Sequence, residues 1–554
     1  MMKSKIIKSL SVVISFCIFF ISALSAQPKP QAPKLIVNIV IDQMRQDYLF
    51  RFWDLYGEDG FKKLVNNGYD FSNCNFSYFP TYTAPGHANI STGATPSVHG
   101  IVGNDWYENI DGSKMYCVSD TSVKGVGTST SVGQMSPKNL KVTTFGDELK
   151  FANHYRSKVF GVSLKDRGAI LSAGHLADAA YWVDLKEGNF VSSTYYINEL
   201  PDWVKNFNKK DLVSKYLNQT WTTCVSLEKL AKYADPDNSP TESIFKGKTT
   251  PTFPYDLKSL NKENKENEMI ATTPFGNDLV ANFAEELIKN EKLGQNSENV
   301  TDALYVSFSS TDYVGHYFGI RSMEVADTYI RLDQDIAKLI QTLEKEVGKD
   351  DFVIVLTADH GAADNPNYLN YKKFDAHFFN NNSVKVDLRE HLEKKFGADL
   401  IDGYINLQIY LNHPLMKEMK INEQEVKNEI IDFMKYQPGV LKVFPSEVLN
   451  NGNLSDNVLQ LYMRGYYPQR CGDVYIMLEA GSMDQSYSNL GTTHGSPYTY
   501  DTHVPLLFYG KNIPHGRTDN LVQVSQLAAT LSAMLGINLP SGCTVNPLLD
   551  YFKK

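Results

Sequence analysis

The chain has 554 residues, with 54 Lys and Arg against 63 Asp and Glu and a formal net charge of −9. Its 42% hydrophobic and 21% charged residues are globular values and exclude wholesale disorder. The acidic balance excludes a nucleic-acid binder that works by counterion release, and six Cys are too few for a disulfide scaffold.

In chain order, residues 1–26 read as a secretory signal. Lys3, Lys5 and Lys8 precede an apolar run from Leu10 to Leu24, and Ala23 to Ala26 offer small residues for cleavage. The run is shorter than the roughly 20 residues of a spanning helix, so cleavage rather than anchoring is expected. No later stretch is long and apolar enough to span a membrane. Removing three lysines takes the formal charge from −9 to −12 and implies a periplasmic or secreted protein. Cys74, Cys117, Cys224, Cys471 and Cys543 then remain, an odd number, so at most two internal pairs are expected.

Five short apolar runs follow: Leu35–Ile41, Val159–Leu164, Ala303–Phe308, Phe352–Leu356 and Val504–Tyr509. Near-continuous apolar runs with β-branched residues predict interior strands of a parallel sheet. Helical spacing predicts helices at Leu279–Lys289, Met323–Glu346 and Val524–Leu535, the last ending at Gly536 as a C-cap. Alternating strands and helices predict an α/β fold whose sheet is covered on both faces. Two excursions interrupt the pattern, at about 185–269 and 362–473. The first contains the solvated run 261–268, and the second a predicted helix at Glu423–Lys435.

Ligands of open α/β sheets bind beyond the carboxyl ends of the strands. Asp42 follows the first run, Lys165 and Arg167 the second, Asp312 and His316 the third, and Asp359 and His360 the fourth; His494 lies shortly before the last. Taken singly, each has an ordinary explanation. A lone Asp caps turns or helices, and Asp312 with His316 could be a surface pair four residues apart. Together, three Asp and three His suffice for two zinc ions, and two metals can clamp the attacking and leaving oxygens of an in-line phosphoryl displacement.

The candidate nucleophile is Thr83, in Thr81-Tyr82-Thr83-Ala84-Pro85-Gly86-His87. Pro85 favours the first turn of a helix, which puts Thr83 at an N-terminus that attracts anions, although a plain N-cap Thr reads the same way. Asn104 could donate its amide to a phosphoryl oxygen, or be a turn residue after Gly103. Lys165 and Arg167 could grip phosphate oxygens, or pair with acids such as Asp166.

These residues lie in VIDQMR, TYTAPGH, GNDW, SLKDR, DYVGH, TADHG and THGSPYTYDTHVP, which run from Asp42 to Pro505. In these motifs the chain resembles the alkaline phosphatase superfamily, most closely the Thr-nucleophile, phosphate-irrepressible alkaline phosphatases of flavobacterial type. The resemblance implies one catalytic domain over residues 27–554. Asp312, His316 and His494 would hold one zinc; Asp42, Asp359, His360 and Thr83 would hold a second. Thr83 would become a phosphothreonine, with Asn104, Lys165 and Arg167 on the non-bridging oxygens. Lys165 stands where related enzymes keep a magnesium ion, so no catalytic magnesium is expected. The expected activity is phosphate monoester hydrolysis of broad specificity by a monomer acting on small molecules. A phosphodiesterase or nucleotide pyrophosphatase of the same superfamily is the alternative. A metal-free binding protein would show a degraded ligand set, and a sulfatase would need Cys or Ser at position 83.

Overall fold

The computed structural model describes residues 31–298, 300–450, 455–484 and 489–553; the segment read as a signal lies outside them. In chain order, the central sheet takes β1 (Leu35–Ile41), β2 (Tyr69–Phe71), β3 (Gly125–Val126), β4 (Val159–Ser163), β5 (Ala179–Asp184), β6 (Asn189–Ser193), β7 (Asp302–Phe308), β8 (Phe352–Thr357), β9 (Leu506–Gly510) and β10 (Gly516–Thr518). The strands lie in the order β10-β2-β9-β8-β1-β7-β4-β5-β6-β3. From β8 through β1, β7 and β4 to β5, all neighbours are parallel. Every residue of β1, β4, β7 and β8 is buried, which is why their sequences are continuous apolar runs rather than alternating ones.

The helices that matter to the site are α1 (Thr83–Thr92), α2 (Asp166–Ala173), α3 (Phe275–Glu291), α4 (Ser310–Phe318), α5 (Met323–Glu346), α6 (Glu423–Met434) and α7 (Gln526–Leu535). α5 has the bounds its spacing predicts. Its N-cap Ser322 accepts a hydrogen bond from the Val325 amide. α7 stops at Gly536, whose φ of 66° is the left-handed cap a glycine supplies without strain. Helix α2 packs on β4 and β5, and α3 on β7 and α5.

Two expectations change. The last apolar run enters the sheet as β9, antiparallel to β8, with Thr357 paired to Leu506. Its first residue therefore lies at the edge where β8 ends, so the chain before it, including His494, is delivered to that same edge. The excursion at 185–269 is not wholly outside the sheet, because β6 pairs with β5. The excursion at 362–473 supplies Ile401–Ile405, Gln408–Leu411 and Val440–Pro445 to a separate four-stranded sheet, which Val474–Leu478, just past the expected bound, completes. That sheet packs with α6 around Leu388, Val426, Ile430 and Ile476. All five cysteines named above are unpaired thiols; Cys224 is the exposed one.

Candidate active site

The carboxyl ends of β1, β4, β7 and β8 converge, and the residues after them meet. Asp42 extends β1, its amide donating to the Phe308 carbonyl at 3.0 Å. Asp312 sits in the first turn of α4, with His316 one turn on, and Nε2 of His316 lies 3.1 Å from Asp312 Oδ1. Asp359 and His360 follow β8. His360 Nε2 lies 3.4 Å from Asp42 Oδ1 and 3.5 Å from Asp359 Oδ2. His494 Nε2 lies 3.6 Å from Asp312 Oδ1, and its ring stacks on that of His360 at 3.4 Å. One ligand atom from each of Asp312, His360 and His494 falls within 4.8 Å of the others, and the same holds for Asp42, Asp359 and His360.

The outer contacts fix how each imidazole presents itself. Nδ1 of His316 meets the Thr492 carbonyl at 2.8 Å, Nδ1 of His360 that of Gly361 at 2.9 Å, and Nδ1 of His494 that of Thr81 at 2.8 Å. A carbonyl only accepts, so each Nδ1 carries a proton and, in the neutral imidazole, each Nε2 turns a lone pair inward, the arrangement of metal-binding histidines. The fit to metal is supported by the acids: Asp42 Oδ1 and Asp359 Oδ2 are buried with no hydrogen-bond partner. Burial lowers the His360 pKa, but Asp359 and Asp42 more than offset it and raise it to about 9. The carboxylates thus draw positive charge to this spot, a demand that a cation also meets.

Thr83 is the first residue of α1 rather than its N-cap. The cap is Tyr82, in extended conformation and without a side-chain capping bond. Thr83 Oγ1 is 1% exposed by residue and lies 3.4 Å from His360 Nε2. The helix can come this close because Gly86 has no side chain; a Cβ there would lie 2.3 Å from the Asp359 carbonyl oxygen.

Lys165 caps α2, and its Nζ lies 2.7 Å from Asp42 Oδ2 and 2.6 Å from Asp312 Oδ2. Burial alone would depress its pKa, but Asp312 and Asp42 raise it above the ordinary lysine range. Arg167 forms no ion pair with Asp166. Its Nη1 donates to Tyr116 Oη at 3.2 Å, while its Nε is buried without a partner. Asn104 Oδ1 accepts from the Ala84 amide at 2.9 Å, which ties its side chain to the first turn of α1.

Four neighbours escaped the sequence reading. Gln43, at φ 65°, donates its backbone amide to Asp359 Oδ1 and its side-chain amide to Asp312 Oδ1, at 3.2 and 2.7 Å. His87 binds the Thr83 carbonyl and Ser307 Oγ, each at 2.9 Å, and burial drives its pKa down to about 4. Tyr313 lies under Lys165 Nζ at 5.0 Å, and Tyr116 meets Arg167. The only local signal was His87, four residues after Thr83 on one helix.

The type I phosphodiesterase / nucleotide pyrophosphatase family model matches residues 36–500. Alkaline phosphatase PafA of Elizabethkingia meningoseptica is 41% identical over 94% of both chains, and alkaline phosphatase PhoV of Synechococcus elongatus 42% identical over 98% of this chain and 99% of that one. A protein named calcium-transporting ATPase, from Myroides odoratus, is 43% identical over 98% of each. The crystal structure of wild-type PafA superposes with a TM-score of 0.91 at 40% identity, covering 96% of this chain and all of that one. Murine ectonucleotide pyrophosphatase / phosphodiesterase 5, at 14% identity and a TM-score of 0.51, shares the fold, covering 91% of this chain and 95% of that one.

Proposed function

The chain belongs to the type I phosphodiesterase / nucleotide pyrophosphatase family of the alkaline phosphatase superfamily, and from that premise we propose that it is an alkaline phosphatase, a phosphate monoesterase of broad specificity with Thr83 as nucleophile. The observation that carries the reading is the convergence of Thr83, three inward-facing His Nε2 atoms and three buried Asp at one sheet edge. Two zinc ions, one on Asp312, His316 and His494 and one on Asp42, Asp359, His360 and Thr83, would lower the pKa of the attacking oxygen and offset charge on the leaving one.

The substrate phosphoryl group would sit at the N-terminus of α1, where backbone N–H groups favour an anion. Asn104 donates its amide to a non-bridging oxygen. Arg167 offers a planar fork to two oxygens, and Lys165, paired with Asp42 and Asp312, offsets part of their negative charge where the phosphoryl group approaches. Thr83 Oγ1 then forms its bond to phosphorus as the bond to the ester oxygen breaks, leaving phosphothreonine. Attack by water forms a new P–O bond, breaks the Thr83–phosphorus bond and releases phosphate.

The family model's description favours a second reading, diester hydrolysis. A monoester carries one more charged oxygen than a diester, and two cations close to the phosphoryl site favour the species that can use both. The terminal group of ATP presents the same three oxygens as a monoester, so the name of the Myroides relative is compatible with phosphoryl chemistry here. No helix among the described residues is long and apolar enough to cross a membrane. We read residues 1–26 as a signal and the protein as periplasmic or secreted, monomeric and without a catalytic magnesium.

Thr83→Ala tests the central assignment. Monoester turnover should fall by about 10³-fold or more, no phosphothreonine should be trapped by acid quench, and bound metal and melting temperature should hold. Undiminished turnover would remove Thr83 from the mechanism.

A further inference from the structure

Two glutamates lie buried and unsatisfied beside the C-terminal turn of α4. Glu324, in the first turn of α5, is 0% exposed, and Glu242, on the loop before it in space, is 3% exposed. Tyr255 Oη donates to Glu324 Oε1 at 2.6 Å, but Glu324 Oε2 and Glu242 Oε2 are buried with no hydrogen-bond partner. Among the described residues no Lys, Arg or His forms an ion pair with either. Lys248, which lies over the Tyr255 ring at 4.4 Å, gives its protons to the Thr252 and Pro254 carbonyls at 2.6 and 3.0 Å.

Burial, and then the Glu324 charge, push the Glu242 carboxyl up to about 10; burial likewise raises Glu324, to about 8. Asp237 and Asp235 add to the same negative field. A cavity opens beside Glu242, walled also by Asp235, Ser239, Thr241, Ser322 and Asn365; Arg321 is in the same wall, tied to Asp364 at 2.6 Å, and Glu324 lies behind Glu242, near enough for its charge to be felt there. Buried carboxylates without a partner are costly, and neutralisation by a proton or a cation is the way out. The wall supplies oxygen donors without His or Cys, which suits a hard cation rather than zinc. Its irregular loop origin suits the flexible coordination of calcium better than the strict octahedron of magnesium.

We propose that Glu242 and Glu324 bind one calcium-class divalent cation, at a site separate from the catalytic one. The cation would clamp the Asp235–Glu242 loop to the start of α5. That loop is tied in turn to both segments bearing metal-ligand histidines: the Ser243 amide donates to the Tyr317 carbonyl at 2.9 Å, and the Gly491 amide to the Thr241 carbonyl at 2.7 Å. Calcium here would stabilise the geometry of His316 and His494 without touching substrate.

The test uses the full chain with its catalytic metals in place, titrated with calcium chloride and, in parallel, magnesium chloride. Bound calcium is counted after desalting, and the melting temperature is followed. The wild type should retain one calcium per chain and melt at a saturably higher temperature with calcium. Glu242→Gln should weaken calcium binding by about tenfold or more, and the Glu242→Gln/Glu324→Gln pair should abolish the calcium response while catalytic metal content is kept. Should the double variant fail to fold, the wild-type count and the single variant decide. Wild type that retains no calcium, or equal retention in Glu242→Gln, overturns the proposal. A single variant that is more stable than calcium-free wild type, with no calcium bound by either, assigns the pair a shared proton instead.

Discussion

One hydrogen bond per histidine decides what the site can hold. Because Nδ1 of His316, His360 and His494 each faces a backbone carbonyl, the other nitrogen of each neutral ring presents a lone pair, and three such nitrogens beside three acids favour a cation. In the proposed mechanism, substrate choice turns on Arg167. Its Nε is buried and unsatisfied, and one of its Nη atoms is held by Tyr116. Arg167→Ala should lower kcat/KM for an aryl phosphate monoester by about 10²–10³-fold and for an aryl diester by about tenfold at most. Equal losses on the two substrates would count against its pairing with the extra charged oxygen. Asp, His and Thr at strand ends were legible in the sequence because their chemistry is local to each motif. Gln43 was not, because what it does depends on Asp359 and Asp312, 316 and 269 residues away, and nothing in its own neighbourhood marks it.

At the scale of elements, one hairpin sets two groups at once. Its strands Asp105–Tyr107 and Lys114–Tyr116 pair Asp105 with Tyr116, so Asn104 and Tyr116 sit side by side at its base. Tyr116 Oη donates to Asp166 Oδ1 at 2.5 Å and accepts from Arg167. Tyr116→Phe should cost about tenfold in monoester kcat/KM and nothing further in an Arg167→Ala background, since coupled residues are not additive. Additive losses would show that Tyr116 acts elsewhere. Away from the site, α3 and α5 bring Asp278 and Asp335 together, and Asp335 Oδ2 is buried without a partner. Burial, and then the Asp278 charge, hold the Asp335 pKa well above 3.8. A raised carboxyl pKa means that the folded state keeps its proton longer, so stability is lost as pH rises from 3.8 through the folded value. Asp335→Asn should therefore stabilise the protein by about 1–3 kcal/mol at about pH 8 and by little below about pH 4, read from denaturant midpoints at the two pH values. An unchanged difference across that range would remove Asp335 as the source.

Over the whole molecule, the sheet works as a frame that brings four strand ends and three helix starts to one edge. Continuous apolar runs announced β1, β4, β7 and β8 because burial on both faces leaves no polar alternation. The direction of β9 could not be read the same way: an apolar run has no sense of direction until it pairs, and the Thr357–Leu506 register joins segments about 150 residues apart. That reversal is what places His494 with His360. The excursions raise a related difficulty, since the polar composition of the first hid β6, which pairs through only a few residues. The frame, two inserted segments and one cluster of cations and acids together support a monoesterase. The most direct measurement compares kcat/KM of the purified, zinc-loaded full chain for an aryl phosphate monoester and for the matching aryl diester. The account predicts a monoester preference of about 10²-fold or more; a diester hydrolysed as fast or faster would contradict it.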